Sequence, residues 1–167
     1  MPAITLPLRS PDSDPLPPLA QSLPVRLMRA REVLMARLRP VLRAHGLTEQ
    51  QWRVLCTARD LSETEISVLA ETVFLLPPSL SRILRDLEAR GLMSRRTSIH
   101  DQRRVLVSVS PAGEALITRV EPALAEVRRQ ARRLFGVARL ESLVDLLDEL
   151  EAALGVPDAP KVEDQAL

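Results

Sequence analysis

The chain has 167 residues, of which 46% are hydrophobic, and a formal net charge of +1. This length can bury one good core but is short for two average domains, so we expect one main domain. No apolar run approaches the ~20 residues of a membrane span, and no charged-then-apolar signal opens the chain, so we expect a cytoplasmic protein.

The residue types that catalysis and metal binding require are scarce. Cys56 is the only cysteine, and His45 and His100 lie far apart without ligand spacing around either. We therefore expect no intrachain disulfide, no metal and no cofactor. Neither a Ser-His-Asp nor a Cys-His arrangement is recognisable, and the five glycines form no phosphate-binding loop. We expect a binding protein and not an enzyme.

Proline dominates the start of the chain. Seven of the 14 prolines lie within residues 1–24, which predicts a flexible or extended arm. Residues 25–45 then show apolar side chains at helical spacing and predict a long helix. Pro40 should bend or end that helix nearby, and Gly46 supplies its left-handed stop.

Two capping boxes predict two short helices after this glycine. The motif Thr48-x-x-Gln51 opens a helix that lasts to about Asp60. The motif Ser62-x-x-Glu65 opens a second helix, which extends to residue 73. Together with a third helix further on, they predict a helix-turn-helix.

The third helix, residues 78–90, has one apolar and one polar face. Pro77 and Pro78 suit its start, and Gly91 suits the residue just past its end. Its apolar face consists of Leu80, Ile83, Leu84 and Leu87, and its opposite face of Ser81, Arg82, Arg85 and Ala89. Because arginine can donate two bonds to guanine, the polar face suits a DNA major groove. The plainer interpretation is an ordinary solvated face.

A basic hairpin follows this helix. Residues 92–99 predict one strand, and the alternating Val105, Val107 and Val109 predict the next, with HDQRR at the tip. Residues 77–104 hold seven arginines and three acidic residues, so this segment carries +4 in a chain of total charge +1. The positive charge is therefore local, which favours the DNA-binding interpretation.

Two leucine-rich helices are predicted to end the ordered chain. Ser110 and Pro111 start the first, in which Pro122 predicts a kink, and the second follows Gly136 and reaches residue 154. They carry more leucine and valine than a small domain can cover, so a partner must bury the surplus. Residues 155–167 are predicted to be a flexible tail.

The order of these elements resembles the MarR (multiple antibiotic resistance regulator) family. Its wing pattern, an Asp, an Arg two residues later, alternating aliphatics and Ser/Thr-x-x-Gly, is matched by Asp101, Arg103, Val105 to Val109, Ser110 and Gly113. The stretches LTEQQWRVL and LLPPSLSRIL look like the branch that contains homoprotocatechuate-degradation regulators. The resemblance covers about residues 22–153.

This resemblance implies a mainly α fold (α+β) with a winged helix-turn-helix at residues 48–110. The winged part would lie within one MarR-type domain, residues 25–154, that dimerises through residues 25–45 and 111–154. The implied activity is that of a homodimeric repressor of an aromatic-acid catabolic operon. It would bind a pseudo-palindromic operator in double-stranded DNA and leave it when a small aromatic carboxylate binds.

Two sets of site residues follow from the polar helix face and the resemblance. The candidate DNA contacts are Pro78, Ser79, Ser81, Arg82, Arg85, Arg95, Asp101, Arg103 and Arg104. The candidate effector contacts are Arg29, His45, Trp52, Arg53 and Cys56. Arg82 is expected to read a base, and Arg103 and Arg104 to meet the minor groove or phosphates. The alternatives are core packing for Trp52 and ion pairs for Arg29 and Arg53.

Two other functions stay open at this stage. A winged-helix protein-interaction module would never touch DNA, and the outward Arg82 and Arg85 argue against it. A redox-responsive regulator would use Cys56. That residue lies four after Trp52 on a helix that must pack, which is more typical of a small buried hydrophobe.

Overall fold

The computed structural model describes residues 21–99 and 104–155. The predictions for residues 1–20, for the hairpin tip with Asp101 and Arg103, and for residues 156–167 lie outside these ranges. The described elements are α1 (Leu23–Ala44), α2 (Glu49–Asp60), β1 (Thr64–Glu65), α3 (Ile66–Thr72), α4 (Pro77–Ala89), β2 (Met93–Thr97), β3 (Val105–Val109), α5 (Pro111–Phe135) and α6 (Val137–Leu154). The predicted mainly helical fold with a small sheet is confirmed.

The first helix is longer than predicted and spans a division of the chain into two units. It starts at Leu23, so that Pro24 falls in the first turn, where its missing N–H costs little. It also runs through Pro40 without ending there. The units are residues 1–36 and 37–167. Within the described part of the first unit, apolar side chains are exposed at Leu23, Leu27, Met28, Val33 and Leu34.

The core of the second unit is built mainly from α2 to α5. The four apolar residues predicted for α4 are all buried, with exposed fractions between 0 and 9%, namely Leu80, Ile83, Leu84 and Leu87. They belong to one cluster with Val54 and Leu55 of α2, Leu69 of α3 and Ile117 of α5. The capping box of α2 is present with both of its hydrogen bonds. Local patterns thus predict this part of the fold well.

The second capping box was predicted wrongly. Thr64 and Glu65 form β1, and α3 begins only at Ile66, with no side-chain cap bond at Glu65. The sheet has the order β1-β3-β2, and Thr64 lies opposite Val107 in an antiparallel pair. Because this pairing uses the backbone of the first predicted turn, the turn cannot form there. Ser62 instead adopts a φ of +62° just after α2.

The start of α5 is packed tightly against the end of α4. Ser110 Oγ accepts a hydrogen bond of 3.1 Å from the Gly113 N–H and donates one of 2.6 Å to the Gly91 carbonyl oxygen. A Cβ atom on Gly113 would lie 2.2 Å from the carbonyl oxygen of Leu92. Position 113, the last of the Ser-x-x-Gly pattern, can therefore hold only a residue without a side chain.

The C-terminal helix is poorly covered within one chain. α5 buries Ile117, Val120 and Leu124, whereas α6 contains no buried residue. Leu146 and Leu154 of α6 are 62% and 77% exposed. A surface cleft of about 400 Å³ runs along this helix, lined by Phe135, Ala138, Arg139, Ser142, Leu143 and Leu146. The surplus apolar surface predicted from the sequence is present.

None of the described helices combines the length and the apolar composition that a membrane span requires.

Candidate nucleic-acid interface

The exposed face of α4 is the part of the described chain best suited to a DNA groove. Each candidate contact on this helix is exposed, namely Pro78, Ser79, Ser81, Arg82 and Arg85, while the leucine face is buried. Arg85 Nε donates to the Ser81 carbonyl oxygen at 3.3 Å. Within residues 21–99 and 104–155, no ion pair holds Arg82 or Arg85. Both guanidinium groups can therefore turn toward a base or a phosphate.

The first turn of α4 offers few backbone donors. Helix starts bind anions through unpaired N–H groups, but Pro77 and Pro78 have none. The Leu80 N–H already donates to the Leu76 carbonyl oxygen at 3.0 Å. The Ser79 N–H is thus the backbone donor that this turn can offer to a phosphate.

The hairpin arginines differ from those of α4 because carboxylates hold them. Arg95 Nε lies 2.8 Å from Glu88 Oε1, on α4. Arg104 Nη1 lies 2.6 Å from Glu65 Oε1, in β1. Arg96 forms a two-pronged pair with Glu63, in the segment between α2 and β1. Arg95 and Arg104, both predicted to contact DNA, would have to share or exchange these partners in order to do so.

The candidate effector residues are spread over two helices and a turn. Arg29 is exposed on α1, in the first unit. The other four lie in the second unit and are partly buried, with His45 just after α1 and Trp52, Arg53 and Cys56 on α2. Trp52 packs against the core, as the alternative interpretation expected.

The thiol of Cys56 is poorly suited to redox sensing. Burial raises its pKa from an ordinary 9.0 to about 11, and the nearby Arg59 only partly offsets this. Glu121 of α5 also raises the pKa through its negative charge. Because the thiolate is the reactive form, a thiol that stays protonated at neutral pH reacts slowly.

A cavity between the end of α1 and the start of α2 contains two arginines that sequence analysis missed. Its volume is about 250 Å³, and it is lined by Arg39, Leu42, Arg43, Leu47, Thr48 and Glu49. Arg39 Nη2 lies 3.3 Å from Glu49 Oε2. The spacing of four between Arg39 and Arg43 places both on one helix face, a signal that the sequence does contain. No predicted effector residue lines this cavity.

Comparison with known proteins gives a consistent picture. The model of the MarR family matches residues 47–105. The homoprotocatechuate degradative operon repressor of Escherichia coli is 36% identical over 131 residues, which cover 78% of this chain and 88% of that protein. The HTH-type transcriptional regulator FarR of Neisseria gonorrhoeae is 34% identical over 129 residues, which cover 77% and 88% respectively.

A solved structure extends the likeness to the fold. The crystal structure of NadR in complex with 4-hydroxyphenylacetate is 33% identical in sequence, with a TM-score of 0.71. The match covers 82% of this chain and 97% of that one. The two chains therefore share their fold along nearly the whole of NadR.

Proposed function

Since this chain belongs to the MarR family of DNA-binding transcriptional regulators, we propose that it represses an aromatic-acid catabolic operon and leaves its operator when a small aromatic carboxylate binds. The two named relatives are a transcriptional regulator and a repressor of the homoprotocatechuate degradative operon. NadR binds 4-hydroxyphenylacetate, which is an acid of the same chemical class. The observation in this chain that carries the proposal is the exposed Ser/Arg face of α4.

The DNA contacts of this proposal come from two places. The face of α4 contributes Pro78, Ser79, Ser81, Arg82 and Arg85, with Arg82 as the base-reading residue. The hairpin contributes Arg95 and Arg104, and Arg103 and Asp101 are the predicted contacts that lie outside the described residues. Regulators of this family are dimers, so two α4 helices would enter major grooves about 34 Å apart on a pseudo-palindromic operator.

The proposed dimer contact involves residues 25–45 and 111–154. Together with the winged helix-turn-helix of residues 48–110, these segments would form one MarR-type domain, residues 25–154. The support comes from exposed apolar side chains that one chain leaves uncovered. They occur on α6, where Leu146 is 62% exposed and no residue is buried. Surfaces of this kind in soluble proteins usually mark association sites.

The effector is proposed to bind where α1 and α2 meet. An arginine can hold a carboxylate by two parallel charge-assisted bonds, and an imidazole suits a phenolic hydroxyl. Arg53 and His45 would supply these groups, Trp52 an apolar wall, and Cys56 a space-filling thiol. Arg29, in the first unit, stays a separate prediction. The cavity lined by Arg39 and Arg43 is the alternative location, because it already has the volume for a single aromatic ring.

One binding experiment tests the function. Fluorescence anisotropy would follow the protein on labelled DNA from upstream of its own gene while homoprotocatechuate or 4-hydroxyphenylacetate is added. We expect tight, salt-dependent binding that either acid reverses, while a phenol without a carboxylate and a non-aromatic carboxylate do not reverse it. If no aromatic acid changes the binding, the proposed effector class is contradicted, whereas the proposed DNA binding still stands.

A further inference from the structure

Two glutamates before α3 and two arginines of the hairpin lie together across the small sheet. Glu65 of β1 and Arg96 of β2 are both opposite Leu106 of the central strand β3, so all three belong to one row. Residues in one row of a sheet project from the same face. Arg96 therefore reaches over β3 toward β1, where it meets the carboxylate of Glu63.

The bonds between these residues are specific in geometry. Arg96 Nε donates to Glu63 Oε1 at 2.5 Å while its Nη2 donates to the second oxygen of the same carboxylate. This is the two-pronged arrangement in which a guanidinium fits a carboxylate best. Arg104 Nη1 donates to Glu65 Oε1 at 2.6 Å. The hydrogen bond from Arg96 also lowers the pKa of Glu63, so this carboxylate stays charged at neutral pH.

The charges of this sheet face cancel. Two arginines and two glutamates sum to zero, although half of the Arg96 side chain and 58% of the Arg104 side chain are exposed. On the face of α4, by contrast, Arg82 and Arg85 have no carboxylate partner among the described residues. The attraction for phosphates should therefore be stronger at α4 than on this side of the hairpin.

These ion pairs also connect two parts of the winged domain whose direct strand pairing is short. The ladder between β1 and β3 consists of only two residue pairs. β1 leads directly into α3, the first helix of the helix-turn-helix, whereas Arg96 and Arg104 belong to the hairpin. An ion pair at either side of this short ladder restricts how the hairpin can rotate against α3 and α4.

We propose that Arg96 is a positioning residue, which holds the hairpin against the helix-turn-helix through Glu63 and does not bind DNA phosphates. The Arg104–Glu65 pair supports the same arrangement. The glutamates are thereby part of the DNA-binding machinery although their charge is repelled by DNA. The inference depends on DNA binding by this chain and not on the proposed effector.

Neutralising a glutamate separates positioning from simple electrostatics. Glu63→Gln adds one positive charge, so electrostatics alone predicts tighter binding to every DNA sequence. Positioning predicts weaker binding to the operator, by about five- to tenfold, with little change on unrelated DNA. Asp60→Asn is the matched control, because Asp60 is an exposed carboxylate that pairs with Arg59 at the end of α2, outside the hairpin and the proposed dimer contact. Its operator affinity should stay within twofold of the original.

A charge swap tests the same pair in the opposite direction. Arg96→Glu should weaken operator binding at least tenfold, and the double variant Glu63→Arg, Arg96→Glu should recover most of this loss because the pair forms again. A phosphate contact at position 96 predicts no recovery, and the slope of log K against log salt would fall by about one unit. Tighter operator binding by Glu63→Gln, or failure of the swap, would overturn the proposal. Both single variants act on exposed side chains, and thermal unfolding would verify that they fold.

Discussion

Gln51, in the first turn of α2, donates a hydrogen bond of 2.6 Å from its Nε2 to Oδ2 of Asp86 on the recognition helix α4. The Oε1 atom of the same amide accepts a bond of 2.8 Å from the Thr48 N–H, which completes the capping box. Thr48 also lines the cavity at the α1–α2 junction. One side chain thus connects the cavity wall with α4, the helix that we propose to contact DNA.

Replacing Gln51 should separate these two bonds. Gln51→Glu keeps an acceptor for the Thr48 N–H but places a carboxylate against that of Asp86. Gln51→Leu removes both bonds. We expect each lost bond to lower the free energy of unfolding by about 1 kcal/mol. Urea denaturation would measure this. The defect of Gln51→Glu should shrink as the salt concentration rises, because salt screens the repulsion between the two carboxylates. A defect that does not depend on salt would contradict the contact with Asp86.

Arg82 should contribute base recognition. Arg82→Ala is expected to cost about 1–3 kcal/mol at the operator and to relax the preference at one base position. Binding to a set of operators with single base changes would measure both effects. Arg59→Ala, in the last turn of α2 and outside the proposed dimer contact, removes the same charge and serves as control. Equal losses in the two variants would show that only net charge matters.

The two possible effector locations can be told apart by arginine variants. If the predicted site is right, Arg53→Ala and His45→Ala should bind the operator normally but need at least tenfold more 4-hydroxyphenylacetate for release, which is about 1.4 kcal/mol. Arg43→Ala should change the release concentration less than threefold. Titration of the acid into preformed complexes would measure this. The reverse pattern would move the site into the cavity that Arg43 lines.

Cys56 should be inert toward oxidants under ordinary conditions. With its pKa near 11, we expect a disulfide reagent to label the native thiol far more slowly at pH 7.5 than it labels the unfolded chain. Peroxide should leave operator binding unchanged, and Cys56→Ser should behave like the parent in that assay. Since the folded state holds this proton more tightly, the associated stability is present below about pH 9 and is lost as the pH rises through 11. Rapid native labelling at pH 7.5 would contradict these expectations.

Gly113 should tolerate no side chain. Gly113→Ala forces its Cβ to within 2.2 Å of a backbone carbonyl oxygen, so α5 must shift, and we expect a cost of about 3 kcal/mol. Gly91→Ala is a useful comparison because its Cβ would meet no atom within 4 Å. This variant should lower the free energy of unfolding by only about 1 kcal/mol, which is the penalty for a side chain in the left-handed backbone conformation. Equal costs in chemical denaturation would argue against the tight junction.

Local patterns predicted the helices of this fold, while pairing between distant residues escaped them. The α4 core residues recur at helical spacing, so their burial follows from the sequence alone. Thr64 pairs with Val107, far along the chain, and nothing near Ser62 indicates that this strand will compete with a helix. The carboxylates that hold Arg95, Arg96 and Arg104 were missed for the same reason. Charge counting shows how many arginines a segment has but not which of them already have partners.

The lack of any buried residue on α6 within one chain also affects how variants behave in a cell. A helix that buries none of its residues alone gains its packing from association, so subunits should exchange and mix as their concentration allows. A subunit with an intact α6 but a defective α4 would then pair with normal subunits and give dimers with one competent half. Such alleles should be dominant over the wild type, whereas alleles that disrupt α6 should be recessive.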